Sequence, residues 1–317
     1  MRLPKPRGVL SEWVVSRLAD ARPSAAAAPA ADAWDDESLA LWTLHELSYR
    51  GFEDADERAE WDPEVLHVRH RLETALEERL RSRWEQAGPV SVGVPSEVPS
   101  ALEALVAEDD GPSLADHVRR RADRDQVLEL LRQRSVYHLK ESDPVAWVVP
   151  RLPVRAKAAL MELQYDEYGD GDPNRLHSHL FARGLDAIGL RSEYGAYVDD
   201  ALPETLEMNN AVSLFGLHRR LRGAAMGHLA AFEMTSSLPS RKMVQGLERL
   251  DLGGPMAAYY DEHVEADAIH EHLAARDICG TLAEDEPEQA DEILFGAFTC
   301  LDLETRFATV LLASWEA

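Results

Sequence analysis

The chain has 317 residues, 45% of them hydrophobic, which excludes a broadly disordered protein and provides enough apolar side chains for a sizeable core. Its 33 Lys and Arg residues against 58 Asp and Glu give a net charge of −25. A polyanion or an anionic lipid surface would be repelled by such a chain, so we expect neither a nucleic-acid partner nor a membrane partner.

Two cysteines, Cys279 and Cys300, form neither a CxxC pair nor a zinc or iron–sulfur spacing. We interpret both as small core residues in a reducing compartment. The sequence contains neither a signal-peptide pattern nor an apolar run of about 18 residues, so no transmembrane helix is predicted and the expected location is the cytoplasm.

The chain divides into three predicted parts. Residues 22–33 are rich in Ala and Pro and indicate a linker, preceded by a loosely attached helix. Helical patterns begin at Trp34 and, after a turn, at Pro63. The irregular stretch 88–100 is the best candidate for a boundary. We therefore predict a tail and linker (1–33), an N-terminal helical extension (34–110) and a metal-binding helical domain (111–317).

Five to seven further helices are predicted from Ser113, a plausible N-cap, to the end of the chain. Strand-like alternation is absent, so the predicted fold class is all-α, and no Gly-rich phosphate loop occurs. The expected helices span approximately residues 113–140, 144–168, 173–189, 203–235, 255–283 and 287–316.

The strongest chemical signal is His263-Val-Glu-Ala-Asp267-Ala-Ile-His270. Helix positions i, i+4 and i+7 lie within roughly 60° of one another, so the three side chains point the same way. Met256 and Tyr259 share that face, which is therefore predicted to be buried. A metal ion would remove the cost of burying two imidazoles and a carboxylate, and this ligand set suits iron, manganese or zinc. Mutual hydrogen bonding is the alternative.

Other possible ligands lie on predicted inward faces of other helices. Glu167 shares an apolar face, whereas Glu162 is predicted to be on the surface. His177 lies on a buried face and His179 on an exposed one. Glu233 continues an apolar stripe. Burying a single unpaired carboxylate or imidazole costs free energy. These residues are therefore candidate metal ligands only if they lie close to one another in the fold.

Glu141 lies at the end of a predicted helix. Its local sequence alone favours a position on the surface. With it, the candidates comprise three Glu, one Asp and three His, about the number that a dinuclear site needs, whereas a zinc site is usually closed by four ligands. A ferritin-like arrangement fits poorly, because Glu64 and His67 lie on a helix with charges around its circumference.

Several segments resemble the iron-containing redox enzymes of the haem-oxygenase-like diiron oxidase and oxygenase superfamily. They are YHLKESDPVAW, ELQYDEYGDG with LHSHLF, SLFGLHRRLRGAAMGHLAAFE and YYDEHVEADAIHEHLA. The segment WTLHELSYRGFEDADERAEWDPEVL resembles the actinobacterial branch. The resemblance covers nearly everything from Trp34 onwards and implies a haem-oxygenase-like helical bundle with an N-terminal extension.

The resemblance also implies cofactors and partners. It implies two iron ions, with manganese as an alternative, and O2 together with a small organic substrate. An external reductase or small iron–sulfur protein is expected, because the chain has no flavin or nicotinamide motif. A homodimer is among the expected assemblies. The implied metal ligands are Glu141, Glu167, His177, Glu233, His263, Asp267 and His270.

The expected function is O2-dependent oxidation, either N-oxygenation of an amine or oxidative C–C cleavage of an acid, since fold alone does not fix the substrate. The resemblance implies that the N-oxygenating branch has an additional carboxylate ligand ten residues before the histidine. Glu167 stands at that spacing from His177 and therefore favours oxygen insertion. The basic run Arg219-Arg220-Leu221-Arg222 could anchor a substrate carboxylate, but a solvated or ion-paired run is the preferred interpretation.

Two other classes remain open at this point. One is a metal-free helical interaction module of the same fold. The other is a thiaminase-type hydrolase, which needs a nucleophilic cysteine, and Cys279 is expected to lie far from the metal residues. Tyr168, Tyr259 and Tyr260 lie near the implied ligands, where we expect them to serve mainly in packing.

Overall fold

The computed structural model describes residues 1–19 and 27–316, without the side chains of residues 265–269. Throughout these ranges the regular structure is helical, with short 3₁₀ turns and a π-helical segment but no strand, which confirms the all-α prediction. No helix in the described ranges is both long and apolar enough to cross a membrane.

The N-terminal part contributes helices α1 (Val9–Ala19), α2 (Trp34–Glu46), α3 (Pro63–Ala87) and α4 (Val98–Glu108). Helix α3 begins where predicted, because the Asp62 carboxylate accepts hydrogen bonds from two backbone N–H groups of the first turn. The prediction of a loosely attached first helix is wrong. Its Leu10, Val14 and Leu18 are at most 1% exposed and belong to the main core.

The remaining helices run in chain order to the C-terminus. They are α5 (Leu114–Arg120), α6 (Arg124–His138), α7 (Asp143–Ala146), α8 (Val154–Glu167), α9 (His177–Ala187), α10 (Pro203–Leu217), α11 (Arg222–Met234), α12 (Ser237–Arg249), α13 (Pro255–His272), a π-helical segment (Leu273–Gly280), α14 (Thr281–Asp285) and α15 (Ala290–Glu316).

Three predicted helices are shorter than expected or divided in two. The span 113–140 is broken because Asp123 and Gln126 cap α6 reciprocally and so begin a new helix. The span 203–235 is broken at His218, whose backbone is extended. In the span 144–168, only a short helix follows Pro144, and α8 begins after Pro153. Helix α12 was not predicted.

The N-terminal helices share a hydrophobic core with the C-terminal part of the chain. One cluster of buried side chains joins α1 to α4 with α8, α10, α11 and α15. A second cluster joins α5, α6, α9, α12 and α13 to the end of α15. The division near residue 110 stays a prediction, because apolar contacts continue across it.

Candidate metal centre

Six of the seven predicted ligands converge in the interior as two groups of three. In each group, one ligand atom from every member lies within 4.8 Å of the others. All six residues are between 2% and 6% exposed. Asp267 lies outside the described side chains. The first group is Glu141, His177 and His263, and the second is Glu167, Glu233 and His270.

Helix α13 supplies one histidine to each group. His263 and His270 are seven residues apart, which is about two helical turns, so they lie on one face at different heights. The two groups are also neighbours, because Glu167 belongs to the second group but lies 3.2 Å from Nδ1 of His177 in the first.

The remaining members come from helix ends. Glu141 lies in the turn between α6 and α7, Glu167 is the last residue of α8, and His177 is the first residue of α9. Glu233 is in the last turn of α11. Ser142 Oγ donates a hydrogen bond of 2.9 Å to Glu167 Oε2, which connects the turn carrying Glu141 to the second group.

Two of the histidines each have one ring nitrogen engaged and the other directed at carboxylates. His263 Nδ1 donates to the Tyr259 carbonyl oxygen at 2.8 Å, and its Nε2 lies 3.9 Å from Glu141 Oε1. His270 Nε2 lies 2.8 Å from Asp166 Oδ2, and its Nδ1 lies 3.4 Å from Glu233 Oε2. Engagement of one ring nitrogen leaves the lone pair of the other available to a metal ion.

The second ring nitrogens are buried without a hydrogen-bond partner among the described residues. This holds for Nε2 of His263, Nδ1 of His270 and Nδ1 of His177. Nδ1 of His177 and Nδ1 of His270 are nevertheless within ion-pairing distance of Glu167 and Glu233, whereas Nε2 of His263 is 3.9 Å from Glu141 Oε1. Buried polar atoms nearly always have a well-directed hydrogen bond, so these three nitrogens need an explanation. A cation in each group would satisfy these nitrogens, and imidazole with carboxylate suits iron or manganese. The residues therefore fit a dinuclear metal centre.

The charges of the two groups are strongly coupled. Burial would raise the pKa of Glu141, but His138 and His263 oppose it and hold that pKa at about 2. Burial opposes protonation of His177 and His270, yet Glu167 raises the pKa of His177 to about 10 and Glu233 raises that of His270 to about 9. The imidazoles of His177 and His270 thus carry protons that a bound cation would displace, whereas burial lowers the pKa of His263.

Three residues of this centre escaped the sequence analysis or were assigned a smaller role. The Tyr259 hydroxyl donates to Glu141 Oε2 at 2.9 Å and lies 2.8 Å from His138 Nδ1, so Tyr259 does more than pack. His138 Nδ1 also lies 3.0 Å from Glu141 Oε1. Asp166, next to Glu167 in α8, is half-buried against His270. Only the position of Tyr259 on the ligand face of α13 could have indicated its role.

The histidines and carboxylates that we predicted to be surface residues are indeed exposed or paired elsewhere. Glu162 and His179 are exposed, and so is His272 at the end of α13. Glu64 pairs with Arg17 and His67 is exposed, which removes the ferritin-like arrangement.

A cavity of about 270 Å³ adjoins the first group. Glu141 and His263 line its buried part, and Glu304, whose side chain is 41% exposed, lines its outer part together with Arg134. Arg134 donates to both carboxylate oxygens of Glu304. The wall between is mainly apolar, formed by residues such as Leu130, Met208, Val212, Phe232, Met243 and Phe307.

The polar groups of the cavity include one neutral imidazole and one thiol. Burial lowers the pKa of His228 to about 4, so this side chain is neutral near pH 7. Cys300 lines the cavity and Cys279 does not. Burial raises the pKa of both thiols, so neither has the low pKa of a nucleophilic cysteine.

The basic run does not line this cavity. Arg220 pairs with Glu77, and Arg222 pairs with Glu286. Arg219 is exposed. The interpretation of the run as solvated or ion-paired is therefore confirmed.

A protein family and a known protein are similar to this chain in sequence. A family described as iron-containing redox enzymes matches residues 128–305, which is more than half of the chain. Nitrosourea synthase of Streptomyces achromogenes subsp. streptozoticus is 28% identical over 165 residues, and the alignment covers 51% of this chain but 35% of that protein. The chain thus matches about a third of the length of this relative. Given the match and its all-helical, haem-oxygenase-like fold, the chain belongs to the family of iron-containing redox enzymes.

Proposed function

We propose that this protein is an O2-dependent, non-haem diiron oxidase or oxygenase. The observation that carries the proposal is the pair of adjacent buried groups, each with an imidazole nitrogen that makes no well-directed hydrogen bond among the described residues. Glu141 and His263 of the first group also line a cavity. Glu141, His177 and His263 would hold one ion, and Glu167, Glu233 and His270 the other. Asp267 remains a proposed ligand on the same helix as two of them.

Bound iron would supply the electrons and the Lewis acidity that O2 reduction requires. The residues of this chain supply the rest. Three carboxylates offset the positive charge of the ions, and Tyr259 and His138 hold protons beside Glu141. The apolar cavity wall excludes bulk water and positions the substrate beside the first group. A separate reductase or small iron–sulfur protein would return electrons after each turnover.

The cavity supports a small, largely apolar organic substrate. The name of nitrosourea synthase indicates a nitrogen-containing product, so amines and amino acids are the first substrates to screen for N-oxygenation. Organic acids follow, as substrates for oxidative C–C cleavage. The two reactions are distinguished by whether the product retains the carbon skeleton.

The test is anaerobic titration with Fe(II), followed by stopped-flow absorbance on mixing with O2. We expect near two irons per chain and a transient visible band. The variant His263→Ala with His270→Ala should lose both. The control replaces two exposed histidines of the ligand helices α9 and α13, His179→Ala with His272→Ala, and should keep both. Iron uptake that is absent, or equal in the two double variants, would leave a metal-free interaction module as the better account.

A further inference from the structure

A buried ion pair connects the N-terminal helices to the turn that carries Glu141. Lys140 Nζ pairs with Glu46 at the end of α2, and the two residues are 1% and 0% exposed. The Tyr194 hydroxyl donates to the other Glu46 oxygen at 2.6 Å. The Lys140 ammonium also lies 4.6 Å from the centre of the Tyr49 ring, a cation–π contact. Lys140 is therefore fixed by Glu46 of α2 and by Tyr49 just after that helix, and Tyr194, in the loop after α9, fixes Glu46.

Three consecutive residues of this turn have separate partners. Lys140 binds Glu46, Glu141 belongs to the first metal group, and Ser142 donates to Glu167 of the second. Ser142 has a φ of 69°, the left-handed region that a residue with a side chain rarely adopts. Such a backbone persists only where its surroundings determine it.

The N-terminal part contributes a second contact to the same turn. Arg50, four residues after Glu46, donates to the Leu139 carbonyl oxygen at 3.2 Å and lies 3.9 Å from Asp143. Both ends of the turn are thus held by residues 46–50, which precede the segment 128–305 that matches the family.

A buried ion pair contributes little net stability, because the cost of desolvating two charges offsets most of their attraction. Such a pair can, however, specify one conformation of the backbone. The position of this ion pair beside a strained turn and a metal-group residue favours such a role. We propose that Glu46 is a positioning residue for Glu141, acting through Lys140. The proposal rests on the proposed metal centre and assigns to the N-terminal helices a part in building it.

The experiment uses the full-length chain and two variants of the ion pair. Glu46→Gln weakens it and leaves the ammonium buried. Glu46→Leu with Lys140→Met removes both charges, which commonly preserves stability. The control is Glu207→Gln. Glu207 is 2% exposed and pairs with Arg83 of α3, so it also joins the N-terminal helices to the rest, but it belongs to neither metal group.

Two measurements are made on each protein. Hydrogen exchange at the amides of residues 139–146 is followed without metal, and Fe(II) affinity is measured by anaerobic titration. Both ion-pair variants should exchange faster there and should bind one of the two irons about ten- to a hundredfold more weakly, the usual effect of losing a partner outside the ligand shell. The Glu207→Gln control should change neither.

Unchanged exchange and affinity in the doubly substituted variant, or equal changes in the control, would overturn the positioning role. If the unaltered chain binds no iron, the proposed function fails, and the exchange measurement alone decides whether Glu46 fixes the turn. Faster exchange limited to the two ion-pair variants would then still support it.

Discussion

The chemistry of the centre depends on which nitrogen of each imidazole is engaged. His263 Nδ1 binds a carbonyl oxygen one turn back on its own helix, so its Nε2 faces the first group. His270 is turned the other way, because Asp166 takes its Nε2 and leaves Nδ1 for the second group. Such outer partners fix the tautomer and orientation of metal-binding histidines.

Tyr259 is the residue whose removal tests the hydrogen bonds around Glu141. We expect Tyr259→Phe to destabilise the metal-free protein by about 1–3 kcal/mol, because a buried carboxylate loses a donor. It should also weaken iron binding to the first group. Thermal unfolding and anaerobic Fe(II) titration measure the two effects.

The neighbouring Tyr260 provides the matched control. It is buried and lines the same cavity, but its hydroxyl has no hydrogen-bond partner among the described residues. Tyr260→Phe should therefore alter unfolding and iron affinity little. Equal losses in the two variants would show that the hydrogen bonds to Glu141 are unimportant.

At the scale of helices, the first group depends on a close approach of α9 to α13. A Cβ atom at Gly184 of α9 would lie 2.9 Å from the Met256 Cα atom of α13. His177 begins α9 and His263 lies in α13, so the distance between these helices sets the distance between the two imidazoles. A glycine makes that approach possible because it has no side chain.

We expect Gly184→Ala to separate the two helices, since Met256 contacts Gly184 with backbone as well as side-chain atoms. The free energy of unfolding should fall by about 1–3 kcal/mol, the usual cost of overpacking, and iron affinity should fall with it. Chemical denaturation and Fe(II) titration measure the two quantities.

Gly253→Ala is the control for this substitution. The nearest atom to a Cβ there is 3.9 Å away, and the backbone has no positive φ. It should change neither quantity. If Gly184→Ala behaves like Gly253→Ala, the approach of the two helices does not determine the site.

At the scale of the whole molecule, the N-terminal helices complete the core that supports the site. Side chains of α1 to α4 pack in the same cluster as those of α8, α11 and α15, and α8 and α11 carry Glu167 and Glu233. The buried pair of Glu46 and Lys140 adds a polar connection between the two parts.

We therefore expect residues 111–317, expressed alone, to lack a fixed tertiary structure. Burial of each Leu, such as Leu10, Leu18 and Leu44, contributes about 1.5–3 kcal/mol to the free energy of folding. The fragment would lack many such side chains of the shared core. Near-UV circular dichroism and dye binding to exposed apolar surface measure the effect, with the full-length chain as reference. A native-like spectrum and cooperative unfolding of the fragment would instead support an independent domain beginning near residue 111.

Glu141 by itself indicated a surface residue, yet it is buried. The sequence by itself determined the fold class, the beginning of α3 and the five other buried donors. These follow from local patterns, because helical periodicity and the face on which Glu167, His177 or His263 lies are properties of consecutive residues. The breaks at His218 and near Asp123 were missed, because packing and capping outweigh a continuous apolar pattern there.

Only the tertiary structure decided which donors belong together. Glu141 and Glu167 are far from α13 in the chain, and their assignment to different groups depends on how the helices pack. The contacts of Asp166 and His138 with the centre, and the pairing of Glu46 with Lys140 beside it, have the same origin. A residue's position in sequence fixes the face that it occupies on its own helix, whereas long-range packing decides which other face it meets.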